Sequence, residues 1–100
     1  MSTRAIGLLN LAVGGELSTD RATVENVARA CGYELVRIIT IDEQTYMPIT
    51  FIVDEAVKNR AAVIVTPDMC HFGVGYQVIT VACSVRLPGE FLPRQSKPPY

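Results

Sequence analysis

Residues 5–13, Ala-Ile-Gly-Leu-Leu-Asn-Leu-Ala-Val, form an almost unbroken apolar run. A run of that kind suits a strand covered on both faces, as in a parallel sheet. Gly14-Gly15 closes it with a turn, and Ser18-Thr19-Asp20-Arg21 supplies residue types that start helices, with Ser18 or Asp20 as the expected cap. Val24, Val27, Ala28 and Cys31 then recur at i, i+3, i+4 and i+7, the apolar stripe of a helix. Gly32 stands where a left-handed C-cap would stop it. The β-branched residues 35–41 predict a second strand.

Asp42-Glu43-Gln44-Thr45-Tyr46 is a polar connection, and Pro48 suits the first turn of a second helix, where its missing N–H costs nothing. Ile49, Ile52, Val53, Ala56 and Val57 keep helical spacing, with Asp54, Glu55, Lys58 and Asn59 expected to face outward. Residues 61–66 predict a third strand that Pro67 brings to an end. A loop over 68–75 leads to a short helix over 76–83, and residues 84–87 form a short last strand. Pro88-Gly89 turns the chain away, and from Glu90 onward the prolines predict an irregular tail. The expectation is one three-layer α/β domain over 1–89, a four-stranded, mostly parallel sheet with three helices on its two faces, and an extended tail over 90–100. Ligands of such folds sit at the carboxyl ends of the strands. Any chemistry therefore falls to two loops, residues 12–20 and 67–75.

Composition narrows the function classes. One hundred residues, 49% hydrophobic and 19% charged, make a single globular domain with a mean hydropathy of +0.26. No apolar run approaches the length of a membrane span, and residues 1–7 lack a signal-peptide core, which together predict a cytoplasmic protein. Nine basic against ten acidic residues leave a net charge of −1, without the basic surplus of a dedicated nucleic-acid module, so DNA binding is not expected. Cys31, Cys70 and Cys83 match no disulfide or metal spacing. A small sheet with two exposed edges and this apolar fraction predicts self-association as a homodimer, by edge pairing or helix packing.

Three segments carry a family likeness. Ile6-Gly7-Leu8-Leu9-Asn10-Leu11-Ala12 resembles the opening strand of the serine recombinase (resolvase/invertase) catalytic domain. Gly32-Tyr33-Glu34-Leu35-Val36 and Val63-Ile64-Val65-Thr66-Pro67-Asp68 fit the same domain, and residues 78–85 resemble the last helix and strand of small actinobacterial resolvase-like proteins. The resemblance implies a resolvase-like or flavodoxin-like core and, for an active member, attack of a serine hydroxyl on a DNA phosphodiester with arginines neutralising the phosphoryl oxygens. Family enzymes carry Gly-Tyr-x-Arg-x-Ser on the first strand and Asp-Arg-Leu-x-Arg after the third. Aligned on Gly7, this chain has Leu8, Asn10 and Ala12 at the tyrosine, arginine and nucleophile. Aligned on Asp68, it has Met69 and Phe72 at the two arginines. One lost stabiliser of this kind costs about 3–4 kcal/mol, so no catalytic residue is assigned and a degenerate domain for protein–protein interaction or regulation in a bacterial cytosol is expected.

Two other readings compete with it. The Leu17-Ser18-Thr19-Asp20-Arg21 stretch resembles the family's surroundings of the nucleophile, which would give Ser18 residual strand-exchange chemistry but would put Glu16 where an arginine is required. A small-molecule, nucleotide or phosphate binder would use a strand-end pocket of Asn10, Gly14, Gly15, Ser18, Asp68 and His71, its anion held at the helix N-terminus after the two glycines. Cys70-His71 is the sole meeting of thiol and imidazole in the sequence, but neighbours on a loop tend to point apart. No metal, cofactor or membrane contact is assigned. Arg4, Arg21 and Arg29 are expected in solvent, Tyr33 and Tyr46 partly buried against the helices, and Phe91, Leu92 and Tyr100 in the tail.

Overall fold

A computed structural model of the chain describes residues 2–72 and 76–94. The elements run β1 (Arg4–Asn10), α1 (Leu17–Ala30), β2 (Glu34–Ile41), α2 (Pro48–Lys58), β3 (Val63–Val65), a single 3-10 turn (Met69–His71), α3 (Tyr76–Ala82), β4 (Ser84–Leu87) and β5 (Glu90–Leu92). They build one sheet in the order β2-β1-β3-β4-β5, its first four strands parallel and β5 antiparallel to β4. The sheet is therefore mixed and five-stranded, not four-stranded, and the chain from Glu90 does not begin as an irregular tail. Pro88-Gly89 is a two-residue hairpin turn, Gly89 taking φ 75°, a left-handed value that glycine adopts without strain. The turn sets Glu90 opposite Leu87, and Leu92 packs on the core. Residues 95–100, with Tyr100, lie outside the described residues.

Alternation along the strands divides the core between two faces. Ala5, Leu9, Val63 and Val65 point to α1, whose Val24 and Ala28 meet the sheet. Ile6, Leu8, Ile39, Ile64 and Val85 point to the opposite face, where Ile52 and Ala56 of α2 and Ile79 of α3 cover them. One helix thus serves one face and two serve the other. Glu55, read as outward from its spacing, is buried and meets Arg37 of β2 at 2.9 Å, a close ion contact without hydrogen-bond alignment.

Other expectations change at the ends of elements. β1 stops at Asn10, because the chain folds back and the Asn10 carbonyl accepts from the N–H groups of Val13 and Gly14 at 3.3 and 2.9 Å. Leu11 and Val13 are left in an exposed loop. α1 begins one residue early, at Leu17; its N-cap is Glu16, which makes no side-chain capping bond, so neither Ser18 nor Asp20 caps it. Tyr46 is 86% exposed and buries nothing against the helices. Gly32, at φ 73°, takes the left-handed cap that its position predicts.

α1 lies close on β1 because position 7 has no side chain. A Cβ at Gly7 would stand 2.7 Å from Cγ1 of Val24 and 3.1 Å from Cγ1 of Ile38. Val24 is fully buried and stiff at χ1, so it cannot yield cheaply. Gly7→Ala is expected to destabilise the protein by about 1–3 kcal/mol in urea unfolding. Val24→Ala should cost less in the Gly7→Ala background than in the wild type, since the two changes relieve one clash.

Candidate functional site

The strand-end region is organised by a gap in the ladder. On β1 the even positions face β3: the Arg4 carbonyl accepts from Ala62 N–H at 2.9 Å, and the Leu8 carbonyl accepts from Thr66 Oγ1 at 3.0 Å. β3 ends at Val65, and Pro67 cannot extend a central ladder. The Asn10 N–H, aimed into this gap, would be left without an acceptor. It donates instead to Nδ1 of His71 at 2.7 Å. The Asn10 amide returns the contact, its Nδ2 donating to the His71 carbonyl at 3.2 Å and its Oδ1 accepting from Ala12 N–H at 3.0 Å.

An acceptor Nδ1 requires the neutral imidazole with its proton on Nε2. The ring is 2% exposed. Burial lowers its pKa from the ordinary value, while the carboxylates of Asp20 and Asp68 pull less strongly the other way. Asp68 Oδ1 accepts from Cys70 N–H at 3.1 Å and so fixes the 3-10 turn that carries His71. Asp20 reaches back from the first turn of α1, its Oδ2 accepting from Gly15 N–H at 3.1 Å. Gly14 is the point of closest approach. A Cβ there would stand 2.8 Å from Asp20 Oδ2, 3.0 Å from the Asn10 carbonyl oxygen and 3.1 Å from His71 Cε1.

Of the residues singled out in the sequence, Asn10, Gly14 and His71 come together, Asp68 holds the turn beneath His71, and Gly15 joins through Asp20. Ser18 stands apart, exposed, its Oγ donating to Glu16 Oε1 at 2.8 Å. Asp20 and Thr66 are the participants that sequence reasoning missed as members of the cluster. An acid in a first helical turn and a threonine before proline are ordinary features, and nothing in their spacing announced the contact.

The chemistry open to this arrangement is restricted. The N–H groups of Gly14 and Gly15, which would face an anion at the helix start, already donate to Asn10 and Asp20. Two carboxylates flank the cluster. Beside it, a cavity of about 170 Å³ is lined by Pro67, Asp68, Met69, Leu87, Pro88 and Glu90, adding a further carboxylate from Glu90. Phe72 is buried in the core and Met69 packs against it. Cys70 is exposed while His71 is buried, so thiol and imidazole diverge; desolvation first, and then the Asp68 carboxylate, raise the Cys70 thiol above its ordinary pKa. Among the described residues no three His, Cys, Asp or Glu side chains are grouped to hold a metal ion, and no helix is long and apolar enough to cross a membrane.

The fold and this cluster define a class: an α/β domain whose strand-end loops are tied to each other through a buried histidine. Comparison with protein-family models, with curated proteins and with solved structures gave no match to any of them.

Two measurements check this description. As pH falls, the unfolded imidazole binds its proton near 6.5, before the folded one does. Stability contributed by neutral His71 is thus complete above that value and declines as pH drops through it toward the lower folded midpoint. The slope should vanish in His71→Gln, whose amide oxygen can still accept from Asn10; His71→Ala should cost about 2–3 kcal/mol near neutral pH by leaving that N–H unpaired in a cavity. Iodoacetamide should label Cys70 slowly at neutral pH, with a midpoint above that of a free thiol.

Proposed function

We propose that the chain is a non-catalytic domain of the resolvase-like kind its sequence resembles, working through protein–protein contact in a bacterial cytosol. The observation that carries this reading is the use of the strand-end polar groups on one another. Asn10 and His71 close a gap in the sheet, and the Gly14 and Gly15 amides are taken up within the loop. The positions aligned with the family's arginines hold Asn10 in that closure, Met69 against the core and Phe72 within it. Ser18, the remaining hydroxyl of interest, neighbours a carboxylate and not a guanidinium. A phosphodiester brought there would meet negative charge without the positive lining that phosphoryl transfer requires.

The outside of the same region favours contact with protein. Leu11, Val13, Leu17, Tyr46 and Met47 are large apolar side chains exposed on the loops and helix start that follow β1 and β2. Exposed apolar groups at one end of a sheet are the material of interaction surfaces. Three free cysteines suit a reducing compartment.

Incubation with supercoiled and nicked DNA is expected to yield neither strand cleavage nor a covalent protein–DNA adduct. Titration with inorganic phosphate and with nucleotides is expected to leave the amide resonances of Gly14 and His71 unmoved. A Ser18-dependent adduct, or a saturable shift at those two residues, would overturn the reading in favour of an enzyme or a ligand binder respectively.

A further inference from the structure

Two rows of side chains run along the flank of α2, the first passing from half-buried Ile49 and Val53, which pack against the core, to exposed Val57. Ile49, Val53 and Val57 follow one another at i, i+4 and i+8, and beside them run Thr50, Asp54 and Lys58. Ile52 and Ala56 occupy the inward side and are buried. Across a shallow groove of about 350 Å³ from the apolar row stands Val78 of α3. Val57 is 67% and Val78 59% exposed, and Val81, one turn beyond, is also exposed. These β-branched side chains lose little rotamer freedom when covered, which makes them good contact groups.

Resting on the protein-contact role proposed above, and naming its partner, we propose that this groove is where two copies of the chain pair about a twofold axis, α2 running antiparallel to α2 of the second copy. The charged row argues for that occupant. Asp54 and Lys58 lie one helical turn apart and already attract each other, Lys58 Nζ standing 2.9 Å from Asp54 Oδ2. In an antiparallel pair the first half of one helix faces the second half of the other, and the same patch serves both copies. Val53 of one copy then faces Val57 of the other, and each Asp54 comes to the other's Lys58. A parallel pair would carry the two charged rows to opposite sides of the seam, so that neither Asp54 met the other copy's Lys58. A strongly acidic or basic peptide would leave one of the two charges opposed. A second copy satisfies both and covers the valines with a self-complementary rim around an apolar centre.

Sedimentation of the full chain from about 1 µM to about 500 µM is expected to show monomer passing to dimer. Val57→Glu should remain monomeric throughout, with the circular dichroism of the wild type and, at about 1 µM where the wild type is monomeric, its melting temperature, since Val57 is 67% exposed in the single chain. Asp54→Lys and Lys58→Asp should each weaken pairing about tenfold or more, because each creates two repulsive contacts, and an equimolar mixture of the two should pair as a heterodimer at least as tightly as the wild type. A wild-type chain that stays monomeric, a dimer indifferent to Val57→Glu, or a mixture no tighter than its components would each overturn the proposal. These results speak to the pairing alone: a monomer that forms no adduct and binds no phosphate leaves the non-catalytic role standing, whereas a Ser18-dependent adduct removes that role whatever the mass.

Discussion

A single backbone amide sets the terms for one end of this molecule. β1 is the second strand of five, flanked by β2 and β3, and its ladder toward β3 runs out because β3 is only three residues long. Two pairing problems follow from that shortness, a carbonyl without a donor and an N–H without an acceptor, and side chains solve both. Thr66 Oγ1 donates to the Leu8 carbonyl, and His71 Nδ1 accepts from the Asn10 N–H. A buried N–H without a partner would cost about 1–3 kcal/mol, a large part of the stability of a 100-residue domain. The histidine has to be neutral and buried to do this, which requires Gly14 beside it and a turn fixed by Asp68 below it. Closure of the sheet and the tie between residues 10–15 and 68–71 are therefore one event.

That event uses the described polar groups of the two strand ends on one another. In open α/β sheets the strand ends commonly leave amide groups and helix N-termini free for phosphate or carboxylate. Here Asp20, from the first turn of α1, takes the Gly15 N–H and stands beside Gly14, while the first turn of α1 itself has no side-chain cap. An internal carboxylate at a helix start also satisfies the helix dipole.

Most of the architecture was legible along the chain because burial imposes a period. The stripe of Val24, Val27 and Ala28, the Pro48 that opens α2 and the left-handed Gly32 each state a local constraint that tertiary structure had no reason to override. β5 was not legible, since three residues between Pro88-Gly89 and Pro93 are too few to show alternation; their pairing with residues 85–87 of β4 makes them a strand. Glu55 defeated the pattern for a different reason: an acid outside the apolar stripe of α2 reads as outward-facing until Arg37, eighteen residues earlier on β2, is seen to meet it. The candidate site was half legible. Asn10, Gly14 and His71 were chosen as polar groups near strand ends, which is correct as placement, but the types that bind a ligand are also the types that repair a broken ladder. Sixty-one residues separate Asn10 from His71, and no linear spacing tells the two uses apart.

The edges of the sheet bear on where a second molecule can attach. β2 is the longer edge and is poorly suited to adding a strand: its register with β1 shifts between Ala5 and Ile6, and Arg37 projects from it to reach α2. A bulge and a charged side chain are common means of blunting an edge. β5 offers only three residues, of which Glu90 carries charge. Neither edge provides a flat, apolar, uninterrupted row of backbone groups. Exposed apolar side chains remain on the helices, on the loops after β1 and β2 and at Phe91 of β5; among the described residues the α2 flank sets Ile49, Val53 and Val57 beside a charge pattern that fits its own image. In a fold with two helices on one face of the sheet and one on the other, association through the two-helix face leaves both edges as they are and stacks helix on helix, the packing that side chains of this size favour.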